Sequence, residues 1–281
     1  MSTSFPIVKC SIETLDRTLY AAREVGDLVD SGDYILNTAL YYGLGFISGQ
    51  YVNIDNTPHY LEDSSEIYKK IYITPASMES TDVYLKTFYG IEIKRSENSK
   101  ILPKLGGHST SQWNARPHLC AVKNWNAKDK DYPFKGKNLP QFGRERVIDQ
   151  QNLFSAFIFP YEITAEEIVS KIPRYIRVGK KRSKVRVKAE VFEAFLEEGE
   201  FISNHPFGIY DYEGLPVGDL ISVRMRPIPL IVQGRYKGKF VRIPHGKGKS
   251  DAVLPYKLEF LKGMRKNKIA NSEEQTADKR R

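Results

Sequence analysis

Between Arg174 and Lys188, eight of fifteen residues are basic and none is acidic, and Ile176, Val178, Val185 and Val187 alternate with the charges. A period of two sends apolar side chains to one face of an extended chain and cations to the other. On a helix the same residues would scatter around the cylinder. Gly179 interrupts the alternation where a turn needs a residue that tolerates positive φ. The stretch Tyr175–Val191 therefore reads as a hairpin whose apolar face rests on a sheet. Its turn offers backbone amides, a serine hydroxyl and cations to consecutive phosphates, which makes Arg177, Lys180, Lys181, Arg182, Ser183, Lys184 and Arg186 candidate RNA-binding residues. The alternative is a solvated edge strand protected by charge against aggregation.

The remaining sequence supplies partners for that hairpin. Phe5–Ile12 and Leu153–Phe159 read as strands, as do Lys69–Thr74 and Val83–Lys94. Asp33–Ser48 carries apolar residues at helical spacing, with Asp33 as the expected N-cap. Thr164 and Glu167, three apart, cap a short helix that stops before Pro173. Residues 96–146 are rich in Gly, Pro, Asn and Lys and show little periodicity, but Trp113, Trp125, Tyr132, Phe134 and Phe142 speak for a functional protrusion over a disordered one. Strands with few helices predict an α+β protein, a ferredoxin-like (RRM-like) antiparallel sheet domain with an inserted arm. Residues 1–99 and 147–203 form the expected core, 100–146 the arm, 204–261 a smaller β-rich C-terminal part and 262–281 a flexible basic tail.

Charge narrows the class of partner. Residues 1–100 carry 9 Lys/Arg against 14 Asp/Glu, 101–261 carry 27 against 17, and 262–281 carry 7 against 3. A basic middle and C-terminal region behind an acidic first third suits a polyanion on one side and protein on the other. Nucleic acid is the leading candidate. No apolar run approaches the roughly 18 residues of a membrane span, and the N-terminus lacks the pattern of a secretory signal, so a cytoplasmic location without membrane contact is expected. Cys10 and Cys120 stand apart without ligand spacing, and neither a metal nor another cofactor is expected.

Three further groups carry possible contacts. Tyr20, Arg23, Asn37 and Tyr41, with Tyr42, suit base stacking and base-edge reading, although tyrosines on an amphipathic helix are also ordinary core residues. The segment around His108, Gln112, Trp113, Asn114 and Arg116 suits a flexible arm contacting nucleic acid, or a plain surface loop. His245, Lys247 and Lys249 lie in a glycine-rich loop able to grip phosphate. That loop ends Gly-Lys-Ser but has Ile243 where a nucleotide-binding phosphate loop requires glycine, and Pro255 follows, so nucleotide hydrolysis is excluded. Metal-independent RNA cleavage needs a general base and acid. The five histidines lack partners at telling spacing, so no catalytic residue is assigned; His108 and His245 are the first to test for that alternative.

Three segments, in two blocks of the chain, together resemble a known family. Tyr20-Ala-Ala-Arg-Glu-Val-Gly26, Tyr34-Ile-Leu-Asn-Thr-Ala-Leu-Tyr-Tyr-Gly-Leu-Gly45 and Pro173-Arg-Tyr-Ile-Arg-Val-Gly-Lys-Lys-Arg-Ser-Lys-Val-Arg-Val187 are similar to the Cas-five subunit of type I-D CRISPR interference complexes, the Csc-one group. The resemblance covers residues 5–48 and 153–191. It implies a non-catalytic subunit with a ferredoxin-like domain and a thumb. Such a subunit holds the 5′ handle of the CRISPR RNA, contacts the large subunit and a backbone subunit, and helps form the site where target double-stranded DNA and its protospacer-adjacent motif enter. It also implies that Arg23 and Asn37 face the handle, that Lys180, Ser183, Lys184 and Arg186 grip phosphates, and that the thumb lies within 100–146. A precursor-processing endoribonuclease and a generic RNA-binding protein remain the alternatives.

Overall fold

The structure, a computed structural model, describes residues 3–25, 28–49, 59–79, 107–115, 141–179, 182–214, 216, 220–224, 228–244 and 250–266. These form a mixed α+β, mostly antiparallel architecture with few helices, as expected. The principal sheet has the order β12-β14-β11-β1-β9-β6-β4. Its centre is β1 (Thr3–Thr14), flanked by β9 (Leu153–Pro160) and β11 (Ser183–Ser203). The outer strands on one side are β6 (Ala76–Met78) and β4 (Tyr34–Ile35), with β5 (Ile71–Ile73) also pairing β9. On the other side lie β14 (Leu230–Ile243) and β12 (Phe207–Gly208). Pairing with β14 also recruits β13 (Leu220–Arg224) and β15 (Ala252–Pro255), and β10 (Tyr175–Val178) pairs β11.

Alternation explains this centre. Val8, Cys10 and Ile12 of β1 stand opposite Ile158, Ala156 and Phe154 of β9, and all six are fully buried. Burial of Cys10 pushes its thiol up to about 12, so it behaves as a small apolar residue. Helix α1 (Asn37–Gly43) packs on β5 and β10, while α2 (Tyr60–Asp63) is a single turn. Helix α3 (Ala165–Lys171) begins as expected: Thr164 Oγ1 accepts the Glu167 N–H at 3.2 Å, and Ile168 enters the core against β1, β9 and β11.

The expected helix from Asp33 is shorter. Tyr34 and Ile35 pair with Ser77 and Ala76, and the Asp33 carbonyl accepts the Met78 N–H at 3.0 Å, so these residues are drawn into the sheet and the helix starts at Asn37. The region 96–146, read as lacking periodicity, holds two regular strands, β7 (His108–Ala115) and β8 (Gln141–Ile148), in register from His108↔Ile148 to Ala115↔Gln141. With β2 (Ala21–Val25) and β3 (Leu28–Ser31) they make a second sheet, in which β3 and β8 run parallel. The chain between β1 and β2 pairs with β8 through the Thr18↔Ile148 bridge. Expected features at 83–94 and in the tail beyond 266 lie outside the described residues.

The C-terminal part is locked onto α1 and β5 by one carboxylate. Asp211 Oδ2 accepts from Asn37 Nδ2 and the Tyr72 hydroxyl, each at 2.9 Å, and from the Gly208 N–H at 3.1 Å, while Oδ1 accepts the Leu261 N–H at 2.8 Å. Burial raises the pKa of this carboxyl above the ordinary aspartate range, and the four donated bonds oppose that rise.

Candidate nucleic-acid interface

The hairpin β10–β11 is the densest cationic structure among the described residues. Its register sets Ile176 opposite Val185 and Val178 opposite Ser183 on the buried face, and Arg177 opposite Lys184 and Tyr175 opposite Arg186 on the outer one. Gly179 has φ +76°, and a Cβ there would lie 2.5 Å from the Leu19 carbonyl oxygen. The turn can therefore press on the β1–β2 connection only because this residue has no side chain. Arg182 also takes positive φ, and its N–H donates to the Gly179 carbonyl at 3.1 Å. Arg177 Nη1 closes the turn by donating to the Arg182 carbonyl at 2.9 Å.

The outer face combines cations with an aromatic ring. Tyr175 is 44% exposed; Lys184 Nζ lies 4.4 Å and the Arg174 guanidinium 5.6 Å from its ring centroid. Arg174, Arg177, Arg182 and Lys184 are exposed. An exposed ring bordered by cations can stack a base while its neighbours meet phosphates. Tyr175 and Arg174 were absent from the sequence-derived candidates. The signal for Tyr175 was present, because the alternation that exposes Arg177 also exposes the residue two before it.

Several expected contact residues have partners within the fold. Ser183 is buried and its Oγ donates to the Arg17 carbonyl at 2.8 Å, so it fastens the hairpin to the chain beyond β1 and does not face outward. Arg186 Nη2 lies 2.5 Å from Oε2 of Glu13, whose side chain is only 3% exposed; its charge serves the sheet. Asn37 is buried, with Nδ2 on Asp211 and Oδ1 accepting the Thr38 N–H, which leaves no edge for a base. Tyr41 is fully buried, its hydroxyl donating to the Ile71 carbonyl at 3.0 Å and accepting the Ile73 N–H at 3.1 Å. Tyr20 is half-buried and its hydroxyl accepts the Leu36 N–H at 3.2 Å; burial pushes this phenol up.

Of the expected thumb residues, His108 alone has a described side chain. It opens β7 with a side chain 7% exposed, Nε2 3.6 Å from Asp33 Oδ1. Among the other histidines, His205 is buried between Thr74 Oγ1, the Pro75 carbonyl and the Phe157 ring. Arg23, Gln112, Trp113 and Asn114 have their backbones in β2 and β7, but their side chains lie outside the described residues, as do Lys180, Lys181, Arg116, His245, Lys247 and Lys249 entirely. Among the described residues no cluster of three His, Cys, Asp or Glu side chains is arranged to hold a metal ion.

Three solved structures similar to this chain come from CRISPR proteins or complexes. One is a chain of the type III-B Cmr-beta complex bound to cognate target RNA and AMPPnP, with 11% identity and a TM-score of 0.40, covering 82% of this chain and 85% of that one. A second, from Cmr-beta bound to cognate target RNA, has 13% identity and a TM-score of 0.37, covering 83% and 86%. A third is a CRISPR protein from Archaeoglobus fulgidus, with 13% identity and a TM-score of 0.34, covering 89% and 98%. No curated protein matches the chain. The family model described as type I-D CRISPR-associated protein Cas5/Csc1 matches residues 5–263, and the chain belongs to that family. The match spans 51–150 as well as the two blocks that carried the resemblance. Among the described residues no helix is long and apolar enough to cross a membrane.

Proposed function

We propose that the chain is a non-catalytic, RNA-binding subunit of a cytoplasmic type I-D CRISPR effector complex. It holds the 5′ handle of the CRISPR RNA, touches the large and backbone subunits, and contributes to the site where target DNA and its protospacer-adjacent motif enter. The observation that carries this reading is the outer face of β10–β11, where Arg174, Tyr175, Arg177, Arg182 and Lys184 are exposed on one glycine-kinked ribbon of a Cas5/Csc1-family protein. Phosphate contacts along such a ribbon fix the register of a strand, and the ring takes a base. The ferredoxin-like reading belongs here too. The succession β1, α1, β5/β6, β9, α3, β11 with the spatial order β11-β1-β9-β5/β6 supports it, because two helices then connect four antiparallel strands with the first and third at the centre.

The test is affinity purification of the tagged chain from cells expressing the whole complex, followed by sequencing of bound RNA. A discrete guide RNA sharing one 5′ handle is expected, together with several partner subunits. Recovery of the assembled complex with its RNA after deletion of this chain, handle protection unchanged, overturns the proposal. Incubating the full chain with repeat RNA in EDTA addresses the endonuclease alternative. Intact RNA is expected, and cleavage lost in His108→Ala or His245→Ala establishes the nuclease.

A further inference from the structure

The connection from β1 to β2 is fastened to the β10–β11 hairpin along its length. Leu15 N–H donates to the Lys184 carbonyl at 3.1 Å, Lys184 N–H to Asp16 Oδ2 at 3.0 Å, and Ser183 Oγ to the Arg17 carbonyl at 2.8 Å. At the turn, Gly179 lies against the Leu19 carbonyl, where a Cβ would come within 2.5 Å. Hairpin and connection therefore form one ordered unit. Because Ser183 takes the backbone carbonyl of Arg17, the unit fixes where this residue stands and leaves its side chain to another use.

The fold makes little demand on that side chain. It is 67% exposed, and the guanidinium's one polar contact among the described residues is Nε at 3.4 Å from Asp149 Oδ1. The same oxygen accepts the Ser109 hydroxyl at 2.7 Å, so this carboxylate has a closer partner than the arginine. An exposed ion pair at such a distance contributes little to stability and exchanges readily for a better anion. Arg186 is the contrast, with Nη2 2.5 Å from the buried Glu13 carboxylate. By the distinction that separates Arg186 from Arg174, Arg182 and Lys184, Arg17 belongs with the outward-facing cations. Asp16 is the single carboxylate of residues 15–19, and it is engaged by the Lys184 amide.

We propose that Arg17 is a phosphate-binding residue of the nucleic-acid site, so that a strand on the hairpin is gripped from the β1–β2 connection as well. The proposal rests on the nucleic-acid reading above and adds to it a cation from outside the basic run. The guanidinium offers a planar fork of donors that matches two oxygens of one phosphate, and it leaves Asp149 to Ser109 when it turns to the ligand. A cation carried on an ordered backbone loses less freedom on binding than one on a loose loop, which is what the bonds to Lys184 and Ser183 provide. Nothing near Arg17 in the sequence marks it, because the residue that fixes its carbonyl, Ser183, lies 166 positions away.

The full chain is titrated into a fluorescein-labelled oligo-rU of about 12 nucleotides at several salt concentrations, since phosphate contacts do not depend on sequence. Arg17→Ala keeps the carbonyl that Ser183 needs, and thermal melts check that it folds as wild type does; Arg17→Gln, which keeps most of the side chain's length, repeats the measurement. Each should bind about tenfold more weakly at low salt, the scale of one charge-assisted hydrogen bond, and flatten the slope of log K against log salt by about 0.7, one phosphate on a single strand. Arg17→Lys should keep the slope. Asp149→Asn removes the competing carboxylate and should bind at least as tightly as wild type. Wild-type slopes for Arg17→Ala and Arg17→Gln, alongside a flattened slope when Arg174, Arg182 and Lys184 are replaced by alanine, overturn the role of Arg17 and leave the hairpin reading standing. Binding weakened as much by Asp149→Asn as by Arg17→Ala also overturns it, because the pair would then act through the fold. Failure of wild type to bind overturns both readings. Inorganic phosphate, added at constant ionic strength, distinguishes a strand from the free ion: it should not displace the oligonucleotide, and displacement from wild type but not from Arg17→Ala overturns the strand contact.

Discussion

Simultaneous replacement of Arg174, Arg182 and Lys184 by alanine removes three exposed cations and leaves Arg177, whose guanidinium closes the turn. Each cation that neutralises a phosphate on a single strand contributes about −0.7 to the slope of log K against log salt. Three such contacts make the wild-type slope steeper than the variant's by about 2, so a roughly fourfold rise in salt should weaken wild type about 20-fold more than the variant. The assay is anisotropy of a labelled handle RNA titrated with the full chain at several salt concentrations. Arg186→Ala is the internal control. It removes the ion pair with the buried Glu13 carboxylate and should cost about 1–2 kcal/mol of folding stability, less than for a fully buried pair because Arg186 is 27% exposed, while leaving the salt slope at the wild-type value. A triple variant with the wild-type slope, or an Arg186→Ala slope shallower by one phosphate, would refute the division of this ribbon into outward-facing and structural cations.

Other expectations follow from the same geometry. Tyr175→Ala should lower handle affinity by about 1–3 kcal/mol, the range for one stacked base, while Tyr175→Phe retains it in the same anisotropy assay; equal losses would show that the hydroxyl, not the ring, is used. Gly179→Ala combines positive φ with a close approach to the Leu19 carbonyl and should destabilise by about 2–3 kcal/mol in urea unfolding. Asn37→Ala, which deprives Asp211 of one donor, should cost about 1–3 kcal/mol in the same measurement. For Asp211, the folded carboxyl binds its proton more tightly than the unfolded one. Its contribution is therefore fully present below the ordinary value of 3.8 and is lost as pH rises through the raised folded value. The stability difference between wild type and Asp211→Asn should shrink as pH rises across that window; a difference that grows contradicts the assignment.

What the sequence made legible was local, and what it concealed was set by register between distant segments. β1, β9, α3 and the hairpin announced themselves through period-two apolar runs and a Thr–Glu cap, signals contained within a few residues. β7 and β8 escaped because His108–Ala115 is largely polar and contributes no apolar alternation. Helical spacing continued back to Asp33, but the pairing of Tyr34–Ile35 with β6 overrode it. Asn37 looked like a base reader because nothing near it discloses Asp211, 174 positions away. The same holds within the cationic run. Charge and alternation identified a ribbon with a basic outer face, yet Arg186 stands opposite Glu13 of β1 in the sheet register while Lys184, one step closer to the turn, lies beyond the last β1 partner, Val185. Lys188 is overlapped by β1 too, but it stands opposite Ser11 and stays half-exposed beside Glu190. What separates the cations is therefore the residue that β1 places opposite each one, a long-range property that composition and spacing within the run do not encode.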